Sequence, residues 1–345
     1  MNNQILLSLL TIATTHYSIL DTRYPIPDTR YFIYLRPVQG TIIKSTGNQY
    51  RVLFEDGKIV FCKIKGNLRL KDFEATNPLT VGDKVEVELN NNIDTDFLWI
   101  TKLYDRKNYI IRKSVKLSSQ FQIIAANIDI AFVVATPVLP KTSLGFIDRF
   151  LATAEAHTLS AGIIWNKNDL YDESVWEFTN ETKKLYEEIG YKVFIVSAIT
   201  GDGISELNET MKDKVCLFSG HSGVGKSSLI NTLIPGKALK TAKISTKHVK
   251  GIHTTTFAEM HHLPEGGFII DTPGIREFGT IDFDKYEVSH FFPDIFKISG
   301  NCKFNNCLHT TEKDCAVKPA VERGEIALSR FESYLSIMSG QDVFK

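Results

Sequence analysis

The chain has 345 residues, of which 43% are hydrophobic and 23% charged, and this length and composition predict two or three globular domains with apolar cores. A disordered chain is excluded, because disordered segments hold too little apolar surface to bury. The formal net charge is zero and the pI is near 7.1, so any binding of nucleic acid must come from a local basic patch.

An apolar run at 5–13 stands near the N-terminus and resembles the core of a signal peptide. No Lys or Arg precedes it, it is too short to span a bilayer, and no convincing small-residue cleavage site follows. We therefore expect a cytoplasmic protein without a membrane segment. Residues 1–35 are an extension of unclear role, either a helix packed on a neighbour or an extension from an upstream start codon.

Short alternating segments with Gly, Asn and Asp turns run from Arg36 to about Arg112. Five of them have the pattern of strands: GTIIKSTG, QYRVLFEDG, KIVFCKIKG, KVEVELNNN and DFLWITKLY. Five short strands in this span predict a small OB-like β-barrel over 36–112, and a small sandwich would give the same pattern.

After a polar linker at about 113–120, strands alternate with helices. The predicted strands are IDIAFVVATP, AGIIWN, YKVFIVSA, KVCLFSG, TFAEMHHLP and GGFIID. The predicted helices are GFIDRFLATAEAH, 173–189, GISELNETMK and KSSLINTLI. This alternation predicts an α/β domain over 113–280 with helices on both faces of the sheet. A third, small domain is expected at 281–345, with a Cys/His cluster and a closing helical stretch, PAVERGEIALSRFESYLSIMS.

The segment GHSGVGKS, Gly220 to Ser227, fits the phosphate-loop pattern G-x-x-x-x-G-K-[ST] between a strand and a helix. Its glycines let backbone N–H groups surround the β-phosphate, Lys226 reaches the β- and γ-phosphates, and the Ser227 hydroxyl ligates Mg²⁺. The expected phosphate-binding residues are Gly220, His221, Ser222, Gly223, Val224, Gly225, Lys226, Ser227 and Ser228.

The segment DTPG begins at Asp271, directly after a predicted strand. In that position Asp271 can hold a metal-bound water, and the Gly274 N–H can face the γ-phosphate. A simple Pro-Gly turn is the alternative interpretation.

The segment NKND, 166–169, is typical of a loop that recognises guanine. Asp169 would accept hydrogen bonds from the guanine N1–H and exocyclic amine, and adenine would leave its carboxylate unpaired. Asn166 would brace the loop, the stem of Lys167 would lie against the base, and the Ala198 N–H would face the guanine carbonyl. The other expected contacts of this base pocket come from the same loop and from VSA: Asn168 and Ser197.

These segments follow one another in a permuted order. An ordinary GTPase begins with the phosphate loop and ends with the base-recognition loop, whereas this chain runs NKND, VSA, phosphate loop, switch I and DTPG. This is the ordinary order of motifs in a circularly permuted form, with the chain cut between the third and fourth strands. All six strands can therefore assemble into one sheet, with the nucleotide at its C-terminal edge.

Together the motifs resemble the bacterial ribosome-small-subunit-dependent GTPase A family (RsgA, also called YjeQ or YloQ). The resemblance covers about residues 36–340 and includes the barrel, DRKNYIIRK, GHSGVGKSSLIN, GIHTTT, DTPGIREFG and the C-terminal cysteines. It implies an OB-fold barrel, a circularly permuted P-loop GTPase, a zinc domain and a role in maturing the small (30S) ribosomal subunit. The first 35 residues and the missing proline after Arg112 depart from the family pattern, away from the chemistry.

Three of the five cysteines cluster with a histidine in the pattern Cys302-x4-Cys307-x-His309-x5-Cys315. Three thiolates and an imidazole suffice for a closed, structural Zn²⁺ site, and the clustering favours a metal and a reducing compartment over disulfides. The two remaining cysteines lie in predicted strands and are expected to be small core residues: Cys62 and Cys216.

No motif identifies the residue that orients the attacking water. Ras-type GTPases use a Gln after the DxxG glycine, and that position is Ile275 here, so either hydrolysis is slow until a partner helps or another residue substitutes. His253, in GIHTTT, is the candidate catalytic residue beside Lys226, and contacting RNA or ordering the loop are its alternative roles. Thr254 or Thr255 would ligate Mg²⁺, together with Ser227 and Asp271.

The permuted order gives switch II a covalent connection to the cysteine domain, because the chain leaving DTPGIREFG enters that domain directly. We expect the γ-phosphate to order switch II and so move the zinc domain. The segment 236–251 carries five lysines and no acid, which predicts either a contact with ribosomal RNA or a solvated loop.

The sequence thus predicts a monomeric GTP hydrolase that binds the small ribosomal subunit and its rRNA through the barrel and the zinc domain, with hydrolysis of GTP to GDP timing release. A GTP-gated RNA-binding protein with little catalysis is the first alternative. A GTPase acting on another RNA such as tRNA, or in membrane traffic, is the second, and the absence of a lipidation motif weighs against membranes.

Overall fold

The computed structural model describes residues 37–47, 49–65, 78–88, 97–113, 121–236, 258–271 and 283–340. Several sequence predictions lie outside these residues: the extension 1–35, most of the lysine-rich segment 236–251, His253, Thr254, Thr255, Gly274 and Ile275.

Five strands form the N-terminal domain: β1 (Val38–Ser45), β2 (Tyr50–Phe54), β3 (Ile59–Ile64), β4 (Lys84–Glu88) and β5 (Leu98–Leu103). Strand β1 pairs with both β2 and β4, and β5 lies between β3 and β4, so the strands close into a barrel. The inward-facing residues Ile42, Val52, Val85 and Ile100 are fully buried in its core. This closure confirms the predicted barrel and excludes the sandwich.

Two strands that pair as a hairpin lie on either side of the linker predicted at about 113–120. Strand β6 (Tyr109–Lys113) pairs antiparallel with β7 (Phe121–Ala126). The sequence analysis predicted neither strand, and the linker that it placed at about 113–120 lies almost entirely outside the described residues. Ile110 and Ile123 are buried, so the hairpin is part of the packed structure.

The central domain has the predicted alternation of strands and helices. Its strands are β8 (Ile130–Ala135), β9 (Ser160–Asn166), β10 (Lys192–Val196), β11 (Val215–Ser219), β12 (Glu259–His262) and β13 (Phe268–Asp271). Its helices are α1 (Leu144–Ala156), α2 (Glu173–Ile189), α3 (Ile204–Met211) and α4 (Lys226–Leu233). The sheet order is β10-β9-β8-β11-β13-β12, with apolar clusters on both faces. All six predicted strands therefore belong to one sheet.

The barrel extends the central sheet. Strand β1 pairs with β12, so that eleven strands of the described chain form one sheet. Lys44 and Glu259 meet at this junction in an ion pair of 2.9 Å. A second connection lies at the hairpin, where the Ala126 N–H donates to the Val81 carbonyl at 2.9 Å. The barrel is thus joined to the central domain by backbone hydrogen bonds at two places.

The C-terminal domain contains a short 3-10 helix (Val288–Phe291) and three helices in the described residues: α5 (Pro293–Ser299), α6 (Val317–Glu322) and α7 (Leu328–Met338). The sequence predicted one closing helical stretch, and the structure divides it in two. Gly324, with φ of +74°, lies between α6 and α7 and allows the turn. No helix in the described segments is long and apolar enough to cross a membrane.

Helix α7 packs against α1 of the central domain through a buried ion network. The Arg330 guanidinium donates to Asp148 of α1 at 2.7 Å and to Asp294 of α5 at 2.8 Å. Asp148 also accepts a hydrogen bond of 2.7 Å from the Tyr186 hydroxyl. Arg330 and Asp148 are almost completely buried, so the two domains share one interior at this contact.

Candidate nucleotide-binding site and metal cluster

The predicted guanine and phosphate motifs lie at one edge of the central sheet. Asn166 ends β9, Ser197 follows β10, Gly220 follows β11 and Asp271 ends β13. Strands β8, β9, β10, β11 and β13 are parallel, so their carboxyl ends face the same side. Nucleotides bind at this edge in open α/β sheets.

The phosphate loop needs glycine at its two ends. Gly220 has φ of +143°, and a Cβ there would lie 2.1 Å from the Val134 carbonyl oxygen. Gly225 has φ of +93° and immediately precedes α4, where a Cβ would lie 2.3 Å from the Asn166 side chain. The loop therefore passes closely over its neighbours and ends at a helix N-terminus, a position that favours bound phosphate.

Lys226 closes the loop upon itself. Its Nζ donates to the carbonyl oxygens of Gly220 at 2.5 Å and His221 at 2.8 Å. Burial lowers the pKa of Lys226 to about 8, and the negative charge of Asp271 opposes this fall. The ammonium group thus lies within the loop, where phosphate oxygens can replace the two carbonyls as acceptors.

Asn166 connects the base-recognition loop to two other loops. Its Nδ2 donates to the Val224 carbonyl of the phosphate loop at 2.9 Å, and its Oδ1 accepts from the Ala198 N–H at 3.2 Å. The side chain is almost completely buried. The Ala198 N–H, which we expected to face the guanine carbonyl, therefore points to Asn166 in this structure.

The other side chains of the base loop are also held in place. Asp169 accepts a hydrogen bond of 2.6 Å from the Ser197 hydroxyl. Lys167 donates to the Gly223 carbonyl at 2.8 Å and to the Leu139 carbonyl. Burial lowers the pKa of Lys167, and the charge of Asp169 opposes this effect. The Asp169 carboxylate and the Lys167 side chain are thus both held by neighbouring loops at this edge of the sheet.

Sequence reasoning missed several residues that support these loops. The Tyr171 hydroxyl donates to the Asn166 carbonyl at 2.9 Å, and the Thr232 hydroxyl donates to the Ala198 carbonyl at 2.8 Å. Asp202 accepts from Asn168, and the ring of Phe146 lies 3.8 Å from that of His221 between centroids. None of these residues belongs to a motif, and the sequence carries no signal that would identify them.

The four predicted metal ligands of the C-terminal domain form one cluster. The ligand atoms of Cys302, Cys307, His309 and Cys315 all lie within 4.8 Å of one another. His309 Nδ1 is 3.6 Å from the sulfurs of both Cys302 and Cys315. Burial lowers the pKa of His309, and the negative charge of Glu312 opposes this effect. The lowered pKa favours the neutral imidazole, which is the form that binds metals. This cluster can hold a metal ion.

Comparison with known proteins finds relatives over most of the chain. A family model described as RsgA N-terminal domain matches residues 39–95, and one described as RsgA GTPase matches 103–281. The small ribosomal subunit biogenesis GTPase RsgA of Bacteroides fragilis is 52% identical over 305 residues, covering 88% of this chain and 97% of the relative. The protein of the same name from Flavobacterium psychrophilum is 50% identical over 303 residues, covering 88% and 93%.

Two solved structures share the fold. YjeQ from Thermotoga maritima superposes with a TM-score of 0.73 at 32% identity, covering 90% of this chain and all of that one. YloQ, described as a circularly permuted GTPase, superposes with a TM-score of 0.71 at 30% identity, covering 90% and 97%. Family models match both domains, the permuted loops lie at one edge of the sheet, and the relatives cover most of the chain. The chain therefore belongs to the RsgA family of circularly permuted GTPases.

Proposed function

We propose that this GTPase binds the small (30S) ribosomal subunit, assists its late maturation and leaves it when GTP is hydrolysed. The observation that carries the GTPase assignment is the double hydrogen bond of Asn166, which joins the base loop, the phosphate loop and the Ala198 loop into one support for a guanine nucleotide. The assignment to the small subunit is supported by the relatives, which are named small ribosomal subunit biogenesis GTPases.

In this proposal each loop has a separate task. Asp169 accepts the guanine N1–H and exocyclic amine, and Ser197 keeps the carboxylate oriented through its 2.6 Å hydrogen bond. Lys226 transfers its hydrogen bonds from loop carbonyls to the β- and γ-phosphates. Together with the backbone N–H groups of the loop, it stabilises the charge of the transferring phosphoryl group while water attacks in line.

The oxygen donors near the phosphates suit a Mg²⁺ ion. Ser227 stands in the first turn of α4 and Asp271 ends β13, and Mg²⁺ prefers such hydroxyl, carboxylate and water ligands. Thr254 or Thr255 would add a ligand from switch I. A bound Mg²⁺ would neutralise charge on the β- and γ-phosphate oxygens. His253 is the proposed water-orienting residue, and with Ile275 unable to serve, we expect slow hydrolysis without a partner.

The C-terminal cluster suits a structural zinc ion. Tetrahedral zinc with ordinary Zn–S and Zn–N bonds separates a sulfur from a nitrogen ligand by about 3.6 Å. Both distances from His309 Nδ1 to the sulfurs of Cys302 and Cys315 are 3.6 Å. Four protein ligands leave no open position, so the ion would support the fold and take no part in hydrolysis.

The partner is tested by GTP turnover of the purified monomeric protein, alone and with isolated small or large ribosomal subunits, at two salt concentrations. We expect strong stimulation by the small subunit only, and we expect it to fall as salt rises, because contacts with rRNA phosphates release counterions. Slow turnover that no subunit changes would overturn the small-subunit assignment. Two alternatives would then remain: a GTPase that acts on another RNA such as tRNA, or a GTP-gated RNA-binding protein with little catalysis.

The base assignment is tested by Asp169→Asn. Xanthine has a carbonyl where guanine has its exocyclic amine, so an amide side chain complements xanthine as the carboxylate complements guanine. We expect kcat/KM for GTP to fall at least about a hundredfold and kcat/KM for XTP to rise by a similar factor. Asp172→Asn, at the exposed N-cap of α2, is the control and should keep the preference for GTP. An unchanged preference in Asp169→Asn would remove Asp169 from the base pocket.

A further inference from the structure

The first strand of the barrel bends toward the central sheet at a bulge. Between Ile42 and Lys44 the pairing of β1 with β2 shifts by one residue, so Ile43 is an extra residue on β1. Ile42 is buried in the core of the barrel, whereas Ile43 packs against the core of the central domain. A bulge bends its strand and redirects a side chain. Lys44, directly after the bulge, therefore reaches the central sheet, where it pairs with Glu259 of β12.

A row of charged residues crosses three strands at this junction. Lys44 of β1 is opposite Glu259 of β12, and Glu259 is opposite Asp271 of β13. Directly opposite side chains lie on the same face of a sheet, with Cβ atoms about 5 Å apart. Two carboxylates thus occupy neighbouring positions in this row, and like charges directly opposite each other repel.

The row lies on the face of the sheet that carries the phosphate-loop helix. Residues two positions apart on a strand share a face, and Ile269, two positions before Asp271, packs in the same apolar cluster as Leu229 of α4. Burial lowers the pKa of Lys226, and the negative charge of Asp271 opposes this fall, so these two groups interact. The row of charges therefore extends from the barrel to the phosphate loop.

Lys44 supplies the positive charge next to the two carboxylates. Its Nζ is 2.9 Å from Glu259 Oε2, and only 24% and 29% of the two side chains are exposed. Partly buried charges are screened less than exposed ones, so this pair interacts strongly. On its other side Lys44 is opposite Arg51 of β2, another cation, so the attraction is directed toward Glu259. Lys44 thus draws the Glu259 carboxylate to the barrel side, away from Asp271.

We propose that Lys44, although it belongs to the barrel, is a positioning residue for GTP hydrolysis. It neutralises Glu259 and holds this carboxylate aside, so that Asp271 and the phosphates face one negative charge fewer. It also fixes the start of β12, the strand that follows the segment GIHTTT in the sequence. The inference rests on the proposed function only in placing Asp271 beside the phosphates, and it does not depend on the small-subunit assignment.

The dissociation constant for GDP in excess EDTA tests this role, measured by calorimetric titration of the full-length protein. Lys44→Met keeps an apolar stem and leaves the Glu259 carboxylate without this cation. We expect the dissociation constant to rise about three- to tenfold, because the added negative charge repels the phosphates. The rise should be smaller in excess Mg²⁺, whose charge offsets the repulsion. The basal kcat for GTP should also fall, and Lys44→Arg should behave like the wild type because it keeps the charge.

A double variant separates this electrostatic role from a purely structural one. Lys44→Met with Glu259→Gln also lacks the ion pair, but it leaves no surplus negative charge beside Asp271. We therefore expect the double variant to regain the GDP affinity and the kcat of the wild type. An ion pair that only joins the barrel to the sheet would leave the double variant as impaired as Lys44→Met. That result, or unchanged GDP affinity in Lys44→Met, would overturn the inference.

Lys65→Met is the matched control within the barrel. It breaks an exposed ion pair of 3.3 Å with Glu88, away from β12, and should leave GDP affinity and basal turnover unchanged. A loss of GDP affinity equal to that of Lys44→Met would indicate a general effect of barrel charge and would overturn the inference.

Asp271→Asn distinguishes failure of this inference from failure of the proposed function. If it changes the Mg²⁺ dependence of GDP affinity and Lys44→Met binds GDP like the wild type, the proposed role of Asp271 stands and the inference fails. If it leaves that dependence unchanged while Lys44→Met weakens binding and the double variant restores it, the role of Asp271 fails and that of Lys44 stands.

Discussion

The nucleotide site and the C-terminal metal cluster are held by different kinds of structure. Asn166, Gly220 and Asp271 each end or follow a strand of one sheet, so the backbone ladder between those strands holds them close together without a ligand. The cluster lies between α5 and α6, in a segment without strands, where His309 and Asp314 have φ of 59° and 60°. Left-handed residues of this kind are held only when their surroundings determine them.

Because of this difference, we expect different interactions to stabilise the two sites. The nucleotide site is preorganised by the sheet and should survive loss of its ligand. The cluster brings three cysteines and a histidine together with few backbone hydrogen bonds, so we expect a bound metal to contribute much of the free energy that keeps them there. The predictions below test this contrast.

The largest effect is expected from removal of the metal. Chelation, or Cys315→Ala, should remove the bound metal and strongly increase hydrogen exchange in residues 283–340, because structural zinc supplies about 10 kcal/mol or more to small domains. Exchange in 121–236 should change little, and metal content by atomic absorption should fall from one equivalent to none.

Cys216→Ala is the matched control, because Cys216 is buried in β11 away from the cluster. It should keep one equivalent of metal and lose only about 1 kcal/mol of unfolding free energy through the lost thiol volume. Unchanged protection of 283–340 in Cys315→Ala would show that the helices hold the cluster unaided, and the contrast with the nucleotide site would disappear.

A smaller effect is expected at the contact between the two domains. Arg330→Ala leaves the Asp148 carboxylate buried with no cation beside it and should lower the free energy of unfolding by about 3–5 kcal/mol. Denaturant unfolding measures the change. Arg323→Ala, which removes an exposed pair with Glu325, should lower the free energy of unfolding far less, because solvent screens the two charges.

A loss for Arg330→Ala no greater than for the control would mean that the apolar core around Phe292 and Tyr334 holds the domains together. The Asp148→Asn variant refines the test, because Asn keeps the shape of the side chain and leaves Arg330 with Asp294. Its cost should be less than that of Arg330→Ala.

The helices and strands of the central domain could be predicted from the sequence, because the residues at their ends favour a helix or strand boundary. Helix α2 spans the predicted residues 173–189, since the Asp172 side chain caps its first turn and Gly190 ends it with φ of +115°. Strands β8 and β11 of the central sheet are near-continuous apolar runs, a pattern typical of parallel sheets. Short-range chemistry thus determines most of these boundaries.

Long-range contacts were not readable in this way. The pairing of β1 with β12 joins residues 215 positions apart, and alternation along either strand carries no information about its partner. Similarly, NKND indicates a base loop, yet nothing in it predicts that Asn166 binds the Val224 carbonyl across 58 residues. Tyr171 and Asp202 support the loop without any motif. The residue types of a site were therefore predictable, and their mutual support was not.

Removal of the Asn166 side chain tests the preorganised character of the nucleotide site. Asn166→Ala leaves the Val224 carbonyl and the Ala198 N–H without this partner and should lower the free energy of unfolding by about 2–3 kcal/mol. The dissociation constant for GDP should rise by more than tenfold, because three loops lose their common support. Calorimetric titration measures the affinity.

Asn180→Ala, at an exposed position of α2, is the control. It should leave the GDP affinity unchanged and should not lower the free energy of unfolding, because Ala favours a helix more than Asn does. Wild-type GDP affinity in Asn166→Ala, despite lower stability, would show that the ligand assembles the loops itself. The nucleotide site would then resemble the metal cluster.

The smallest effect concerns pH. Burial lowers the pKa of Lys226 in the free protein to about 8, so the side chain loses its charge as pH rises through about 8. Bound phosphates favour the charged form and raise that pKa, so nucleotide binding takes up a proton above about pH 8. The dissociation constant for GDP should therefore be nearly constant below about pH 7 and rise about tenfold between pH 7 and pH 9. Titrations in two buffers of different ionisation enthalpy would measure the proton uptake directly.

The Lys226→Gln variant separates this lysine from ionisation of the nucleotide itself. It should bind GDP more weakly than the wild type, and its affinity should lose the dependence on pH that Lys226 causes while keeping any that comes from the base. Equal pH profiles for the two proteins would show that Lys226 is already charged in the free loop up to pH 9. In that case the carbonyls of Gly220 and His221 would stabilise the ammonium enough to offset its burial, and the loop would be preorganised in charge as well as in shape.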